Sequence, residues 1–397
     1  MRKSFLISIS LIISMLFSGC FGYYDITDFN VLLGVSVDDI ENNKKLIVYE
    51  HITANATSTA DEEKAEVNTH LSSTIGDSIY HAFRRASTYS EGRRIYYPSI
   101  RMVVIGEETA RHGIEDVVDF FARDPKRRNT VHLVIASSKG YDIFSRKHST
   151  VESTTSEVVE ALTLTKLSGY GVHKEIYKFI KEMNSLSGTG ILNVVKLVPT
   201  KGTELMMEPK EAIQNTPYEV SLTGTAVLYN YKLIGRLDLN ESLAVNIVRG
   251  DVKECVYVIN KEKERDTGIT VRLKGPKAKL IPVQTPKGYE MNIQIRSKAE
   301  IVEYDNEKPI KSLDFKDIGN KVSEEINKNI LKTFEYSKND LKVDILHLGD
   351  AFAIKYPKLS ALTSDEWNKI FSEKVNIKLD TKVTITGTSS INEKVKR

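Results

Sequence analysis

Between Met102 and Ala136 the chain changes from strand to helix and back to strand, and this alternation restricts the fold more than any other feature. Met102 to Ile105 is a fully apolar run stopped by Gly106. A helical stretch follows, carrying Ile114, Val117, Val118, Phe120 and Phe121, and Asp124-Pro125 ends it because proline cannot continue the hydrogen-bond ladder. Val131 to Ala136 is the next apolar run. Two such strands within about 35 residues, joined by a helix, call for a layered α/β arrangement, with a right-handed crossover if the strands are parallel.

The rest of the chain reads around this unit. Val31 to Val37 is a short strand running into the acidic turn Asp38-Asp39, and Leu46 to Ile52 is its hairpin partner. Thr53 to Glu63 is a polar loop. Val67 to Ala86 carries Leu71, Ile75, Ile79, Ala82 and Phe83 at spacings that predict a helix. Ser145 to Ser156 is a loop, and Val158 to Leu164 and Lys174 to Met183 read as helices interrupted by Gly169-Tyr170-Gly171. Residues 199–217, with Pro199, Gly202, Pro209 and Pro217, form the expected linker.

Beyond the linker, Tyr218 to Leu228 and Lys232 to Leu237 predict a hairpin turning at Asn230. Ser242 to Val248 is a short helix. Strands follow at Cys255 to Ile259, Ile269 to Leu273 and Tyr289 to Ile295. A long helix spans about Phe315 to Phe334, and Val375 to Ile385 alternates as a half-exposed strand. No internal repeat of 20–50 residues is visible. The expected fold class is α+β or mixed α/β, in a multi-domain ectodomain of three sheet-plus-helix domains. Its expected divisions are a signal peptide at 1–19, an N-terminal α/β region at 20–198, the linker at 199–217, a middle β-rich region at 218–262 and a C-terminal α/β domain at 263–397.

The N-terminus sets the compartment. Arg2-Lys3 precedes an apolar stretch from Phe5 to Phe17, too short for a helix rising about 1.5 Å per residue to cross a hydrocarbon core about 30 Å thick. It reads as a secretory signal peptide. It ends in Leu16-Phe17-Ser18-Gly19-Cys20, which resembles a lipobox apart from Phe17 in the place of the usual Leu. Cleavage after Gly19 would leave Cys20 as a first residue carrying a diacylglyceryl thioether. An ordinary signal peptide with an incidental cysteine, or an uncleaved anchor, is the alternative. The other cysteine, Cys255, lies in the apolar run Cys255-Val256-Tyr257-Val258-Ile259 and reads as a small buried hydrophobe.

Composition excludes several classes. Apolar content of 41% with 27% charged residues rules out a polytopic membrane protein, a collagen-like repeat and wholesale disorder. A net charge of +3 argues against a dedicated nucleic-acid binder. Two cysteines cannot form a four-thiolate zinc site. There is no phosphate-cradling Gly-x-x-x-x-Gly-Lys-Ser/Thr loop, no Gly-x-Ser-x-Gly elbow and no His-Glu-x-x-His. The eight histidines show no metal-pair spacing; His70 and His81 share a face of the predicted helix but stand about 16 Å apart along it. The basic groups Arg84-Arg85, Arg93-Arg94 and Lys126-Arg127-Arg128 read as solvated faces, with anionic headgroup contact as the second reading. Trp367, the sole tryptophan, is expected to pack in a core with Ile370 and Phe371.

Three segments behind the lipobox resemble the Ger(x)C family, the C subunits of nutrient germinant receptors in endospore-forming bacteria. The first is Val103-Val104-Ile105-Gly106-Glu107-Glu108-Thr109-Ala110-Arg111-His112-Gly113, continuing through Asp119-Phe120-Phe121-Ala122-Arg123-Asp124-Pro125. The second is Gly224-Thr225-Ala226-Val227-Leu228, then Lys232-Leu233-Ile234-Gly235 and Arg249-Gly250. The third holds Asp350-Ala351-Phe352, Lys355-Tyr356-Pro357-Lys358 and Trp367. The family's usual opening, C-W-D-x-R-E-I, is replaced here by Cys20-Phe21-Gly22-Tyr23-Tyr24-Asp25-Ile26.

The resemblance implies a lipoprotein on the outer face of the spore inner membrane. It would work with membrane-embedded A and B subunits to trigger germination by nutrients. It implies no catalytic residue, metal or cofactor, and only Cys20 carries over with a defined role. A substrate-binding lipoprotein of a transporter is the alternative; it shares the lipobox, but its two doubly wound lobes fit the β-rich second half poorly. A secreted hydrolase is a third reading.

Overall fold

The computed structural model describes residues 28–53, 69–89, 93–123, 130–145, 153–172, 174–199, 218–259, 268–304 and 315–388. Gly19, Cys20, the basic run at 126–128 and the linker beyond Pro199 lie outside the described residues.

The first sheet is built around three short apolar strands. β1 (Phe29–Ile40) forms a hairpin with β2 (Lys44–Thr53), and β3 (Thr69–Gly76) extends that side antiparallel. α1 (Ile79–Tyr89) and the short β4 (Arg94–Tyr96), which pairs with β1, lead to β5 (Met102–Gly106). α2 (Glu107–His112) and α3 (Glu115–Arg123) cross over to β6 (His132–Ala136). β1, β5 and β6 run parallel, and every residue of β5 and β6 is buried, as strands covered on both faces require. α4 (Gly140–Ser145), α5 (Thr154–Ser168) and α6 (Ile176–Met183) precede β7 (Thr189–Pro199), which is parallel to β6. One face packs on α1, α2, α3 and α6 through Phe83, Ala110, Phe121 and Phe179. The other packs on α4 and α5 through Phe144, Val158 and Leu162.

β8 (Tyr218–Tyr229) and β9 (Lys232–Leu237) form the predicted hairpin and add antiparallel to β7. The sheet order is therefore β3-β2-β1-β5-β6-β7-β8-β9. α7 (Leu239–Arg249) follows, opened by a capping box between Asp238 and Glu241. The second sheet has the order β10-β11-β12-β13, from β10 (Glu254–Ile259), β11 (Ile269–Thr285), β12 (Gly288–Tyr304) and β13 (Val375–Thr388). α8 (Phe315–Glu335), α9 (Leu348–Lys355) and α10 (Ser364–Lys374) lie between β12 and β13 in sequence. Their buried residues, with those of α7, pack on one face of this sheet in a cluster that continues into Val172, Ile191 and Val227 of the first half.

The mixed α/β, multi-domain class matches the expectation, and three details differ from it. The described residues hold two sheets rather than three, because the hairpin of the middle region completes the edge of the first sheet while β10 opens the second. Of the segment read as a single helix over Val67 to Ala86, the described residues from Thr69 on form a strand followed by a helix. Leu71 and Ile75 have helical spacing, yet Leu71 to Gly76 pairs residue for residue with Lys45 to Glu50 of β2, and both side chains point outward, 47% and 40% exposed. His70 and His81 consequently share no helix face; His70 instead stands opposite His51 across the β2–β3 pair, with ring centroids 5.8 Å apart.

Candidate functional site

Two places gather polar side chains with defined partners, and the segments that carry the family resemblance contribute Gly106, Glu107, Thr109 and His112 to one and Arg249 and Trp367 to the other. The first is a cleft of about 1030 Å³ at the carboxyl ends of β1, β5 and β6. The chain leaves β1 toward β2 on one side, and β5 begins the succession to β6 and β7 on the other. Such a reversal of strand order leaves a crevice at the strand ends.

Asp38, at the end of β1, is 3% exposed and accepts backbone hydrogen bonds from Gly140 (2.7 Å) and Tyr141 (2.9 Å). Gly106 lies so close that a Cβ there would collide with the Asp38 carboxylate. Burial pushes the Asp38 carboxyl up to about 6, against the pull of those two N–H groups. Asp39 fixes the rim: its N–H donates to Thr109 Oγ1 (2.7 Å), and its carboxylate meets Lys45 (2.7 Å) and His112 Nδ1 (3.2 Å). Burial disfavours the Lys45 charge, but the Asp39 and Asp116 carboxylates outweigh it and raise the ammonium above its ordinary range. Glu107 opens α2 and holds Arg111 and Arg236. The cleft is lined by these carboxylates together with Ser137, Ser138, Lys139 and Tyr141, and the oxygens of Asp38, Asp39 and Glu107 already accept from neighbouring protein groups. Among the described residues no three His, Cys, Asp or Glu side chains are placed to hold a metal ion.

The second place is a buried polar junction between the halves of the chain. Glu182, on α6, pairs with Lys174 and with Arg249 Nη1 (2.9 Å) at the end of α7. Arg249 also donates from Nε (3.1 Å) and Nη2 (2.6 Å) to the carbonyl of Ile345. Burial raises the Glu182 carboxyl, and the Arg249 and Lys174 charges overcome that, so the group lies below the usual carboxylate range. Beyond α8 the backbone enters the left-handed region at Lys342 and His347, which turns Asp344 inward. Asp344 accepts from Ser187 Oγ (2.8 Å), Trp367 Nε1 (3.0 Å) and the N–H groups of Leu348 (3.1 Å) and Gly349 (2.7 Å). Asn368 completes the lock, accepting from Asp344 N–H and donating to the Ser187 carbonyl, both at 2.9 Å. Buried, fully partnered charges of this kind specify one arrangement of the two halves.

Trp367 is wholly buried, as expected, but its indole N–H bond to Asp344 was not visible in the sequence. Cys255 is buried and free, and burial pushes its thiol up to about 12. Of the basic groups within the described residues, Arg84, Arg85 and Arg94 are exposed. Glu182, Ser187 and Asp344 were missed in the sequence because nothing local marks them; the contacts that join the halves through them, Glu182 to Arg249 and Ser187 to Asp344, span 67 and 157 residues.

Comparison with known proteins fits this architecture. The family described as "Spore germination protein N-terminal domain" matches residues 22–197, and "Spore germination B3/ GerAC like, C-terminal" matches residues 223–389. Relatives from Bacillus subtilis (strain 168) include "Spore germination protein B3", 19% identical over 94% of this chain and 95% of that protein. "Spore germination protein KC" is 21% identical over 97% and 96%. The crystal structure of the GerBC protein superposes with a TM-score of 0.56 at 17% identity, covering 89% of this chain and 97% of that one, which shows a shared fold. The chain is thus a two-part spore germination protein, and it belongs to the Ger(x)C family.

Proposed function

We propose that this chain is the lipid-anchored C subunit of a nutrient germinant receptor. It acts with membrane-embedded A and B subunits to trigger germination and performs no catalysis. The observation that carries the reading is the ordered match of both family models, which together take in both halves and the junction between them. In this reading the signal peptide is cut after Gly19, Cys20 is acylated, and the chain sits on the outer face of the spore inner membrane. Two or three acyl chains, at about 0.8 kcal/mol per buried methylene, make a firm tether. Among the described residues no helix is long and apolar enough to cross a membrane.

The test is affinity purification of the tagged chain from detergent-solubilised spore membranes, beside its Cys20→Ala variant. Co-purification of two polytopic partners, with an acylated Cys20 seen by mass spectrometry, is expected. Recovery of the wild-type chain from the soluble fraction, without membrane partners, would contradict the proposal.

A further inference from the structure

The second sheet has one covered face and one bare face. α7 to α10 pack on the side of Val271, Ile293, Ile295 and Val375. None of the alternate residues on the opposite side is buried, and among the described residues no element covers them. The register places like charges side by side on that bare face. Lys277 on β11 stands opposite Arg296 on β12, and Arg296 stands opposite Lys382 on β13. In the neighbouring row Lys274 faces Lys298. All five are exposed.

Directly opposed like charges destabilise a sheet, since facing Cβ atoms are only about 5 Å apart. Two carboxylates give partial relief. Glu300 meets Lys274 (2.6 Å) and Arg272 (3.2 Å), and Asp380 meets Arg296 (2.5 Å). Lys277, Lys298 and Lys382 have no carboxylate of the described residues within salt-bridge distance. The result is a net positive field across the middle rows of three strands, bent at the bulge between Lys274 and Lys277.

We propose that this face lies against the anionic headgroups of a lipid bilayer. An exposed cationic sheet face complements a surface of diffuse negative charge, and long lysine stems let each ammonium adjust to it. The inference rests on the proposed tether, which would hold the chain within reach of such a surface. A single lipid anchor combined with a basic patch is a recognised way to fix a domain at a membrane. The face would then set the orientation in which the two-sheet body meets the bilayer.

The test uses the mature chain from residue 20 onward, carrying Cys20→Ser so that no acyl group contributes. Its sedimentation with phosphatidylcholine vesicles is compared with that on vesicles of equal parts phosphatidylcholine and phosphatidylglycerol. Binding to the anionic vesicles alone, weakened by added salt, is expected. Lys277→Gln/Lys298→Gln/Lys382→Gln should lower that partition on the order of 100-fold, about fivefold for each lysine. The variant's melting temperature should be unchanged or higher, because repulsion is relieved. Lys181→Gln/Lys328→Gln/Lys369→Gln removes the same charge from exposed helix positions and should lower the partition far less. Equal losses in the two triple variants, or none in either, would overturn the proposal. So would wild-type binding that ignores lipid charge, including the case where the three lysines instead govern retention of an acidic protein. Acylation of Cys20 in spores is read separately by mass spectrometry, so failure of the tether and failure of this face are distinguishable.

Discussion

The guanidinium of Arg249 lies 2.9 Å from the carboxylate of Glu182 while two of its nitrogens hold the carbonyl of Ile345. One side chain thus joins the helix before β7, the helix after β9 and the segment that precedes α9. The two halves meet through a buried charge that each part helps to satisfy, so the second half is fixed to the first by directional bonds as well as by apolar contact.

Removing one partner should expose the cost of that burial. Arg249→Ala leaves Glu182 with Lys174 and the Ile191 N–H and takes from Ile345 O its Arg249 donors. A loss of about 3–5 kcal/mol in urea unfolding is expected, the range for breaking a buried pair. A loss below about 1 kcal/mol, the range of exposed pairs, would show that the junction is solvated.

Glu182 also predicts an acid limit. Its folded pKa is depressed, so its contribution to stability is present above its unfolded value near 4.5 and disappears as pH falls through the folded value. Unfolding curves of the wild-type chain and Glu182→Gln should converge as the pH is lowered below that value. Parallel curves through the same range would contradict the assignment.

Asp38 should act in the opposite sense. Its folded pKa is raised from 3.8 to about 6, so the native state holds the proton more tightly. Its contribution to stability is greatest below pH 3.8 and declines, by about 3 kcal/mol, as pH rises to about 6, then stays level. Carboxyl chemical shifts followed by NMR should titrate near 6 at this residue. A midpoint near 4 would mean that the Gly140 and Tyr141 N–H groups fully offset burial.

Glu50 offers a test of helix capping from a distance. Its carboxylate on β2 accepts from Ser153 Oγ (3.0 Å) and from the N–H groups of Thr154 (2.8 Å) and Thr155 (2.9 Å), at the start of α5. Glu50→Ala should cost about 2–3 kcal/mol, since it strands buried donors and removes an anion from a helix N-terminus. Hydrogen exchange should accelerate first in the opening turn of α5. Unchanged protection there would contradict the role.

Gly349 is the close approach on which the Trp367 bond depends, since an added Cβ would sit 2.5 Å from the indole nitrogen. Gly349→Ala should destabilise by about 1–3 kcal/mol and red-shift the emission of the sole tryptophan. An unshifted spectrum at wild-type stability would show that α9 moves freely.

What the sequence disclosed follows from how local each signal is. The β5-to-β6 unit was legible because Gly106 and Pro125 punctuate runs whose apolar residues face a core on every side. The long α8 showed one apolar face, with Ile318, Val322, Ile326 and Ile330 all buried. β3 was misread because Leu71 and Ile75 are outward-facing residues of a strand; periodicity reports burial only where burial exists. The junction left no local trace, since Glu182, Arg249 and Asp344 are ordinary charged residues until the two halves meet. Arg249 was noticed only through the family resemblance, and Trp367 was read as a core residue without its bond to Asp344.

The central claim is a role in nutrient-triggered germination, and dipicolinic acid release tests it most directly. The comparison is between spores that retain this chain's receptor as their sole germinant receptor and the same spores lacking the chain, across a panel of nutrients. The account predicts that release in response to one nutrient class disappears with the chain and returns with a wild-type copy. Unchanged release to every nutrient after deletion would contradict it.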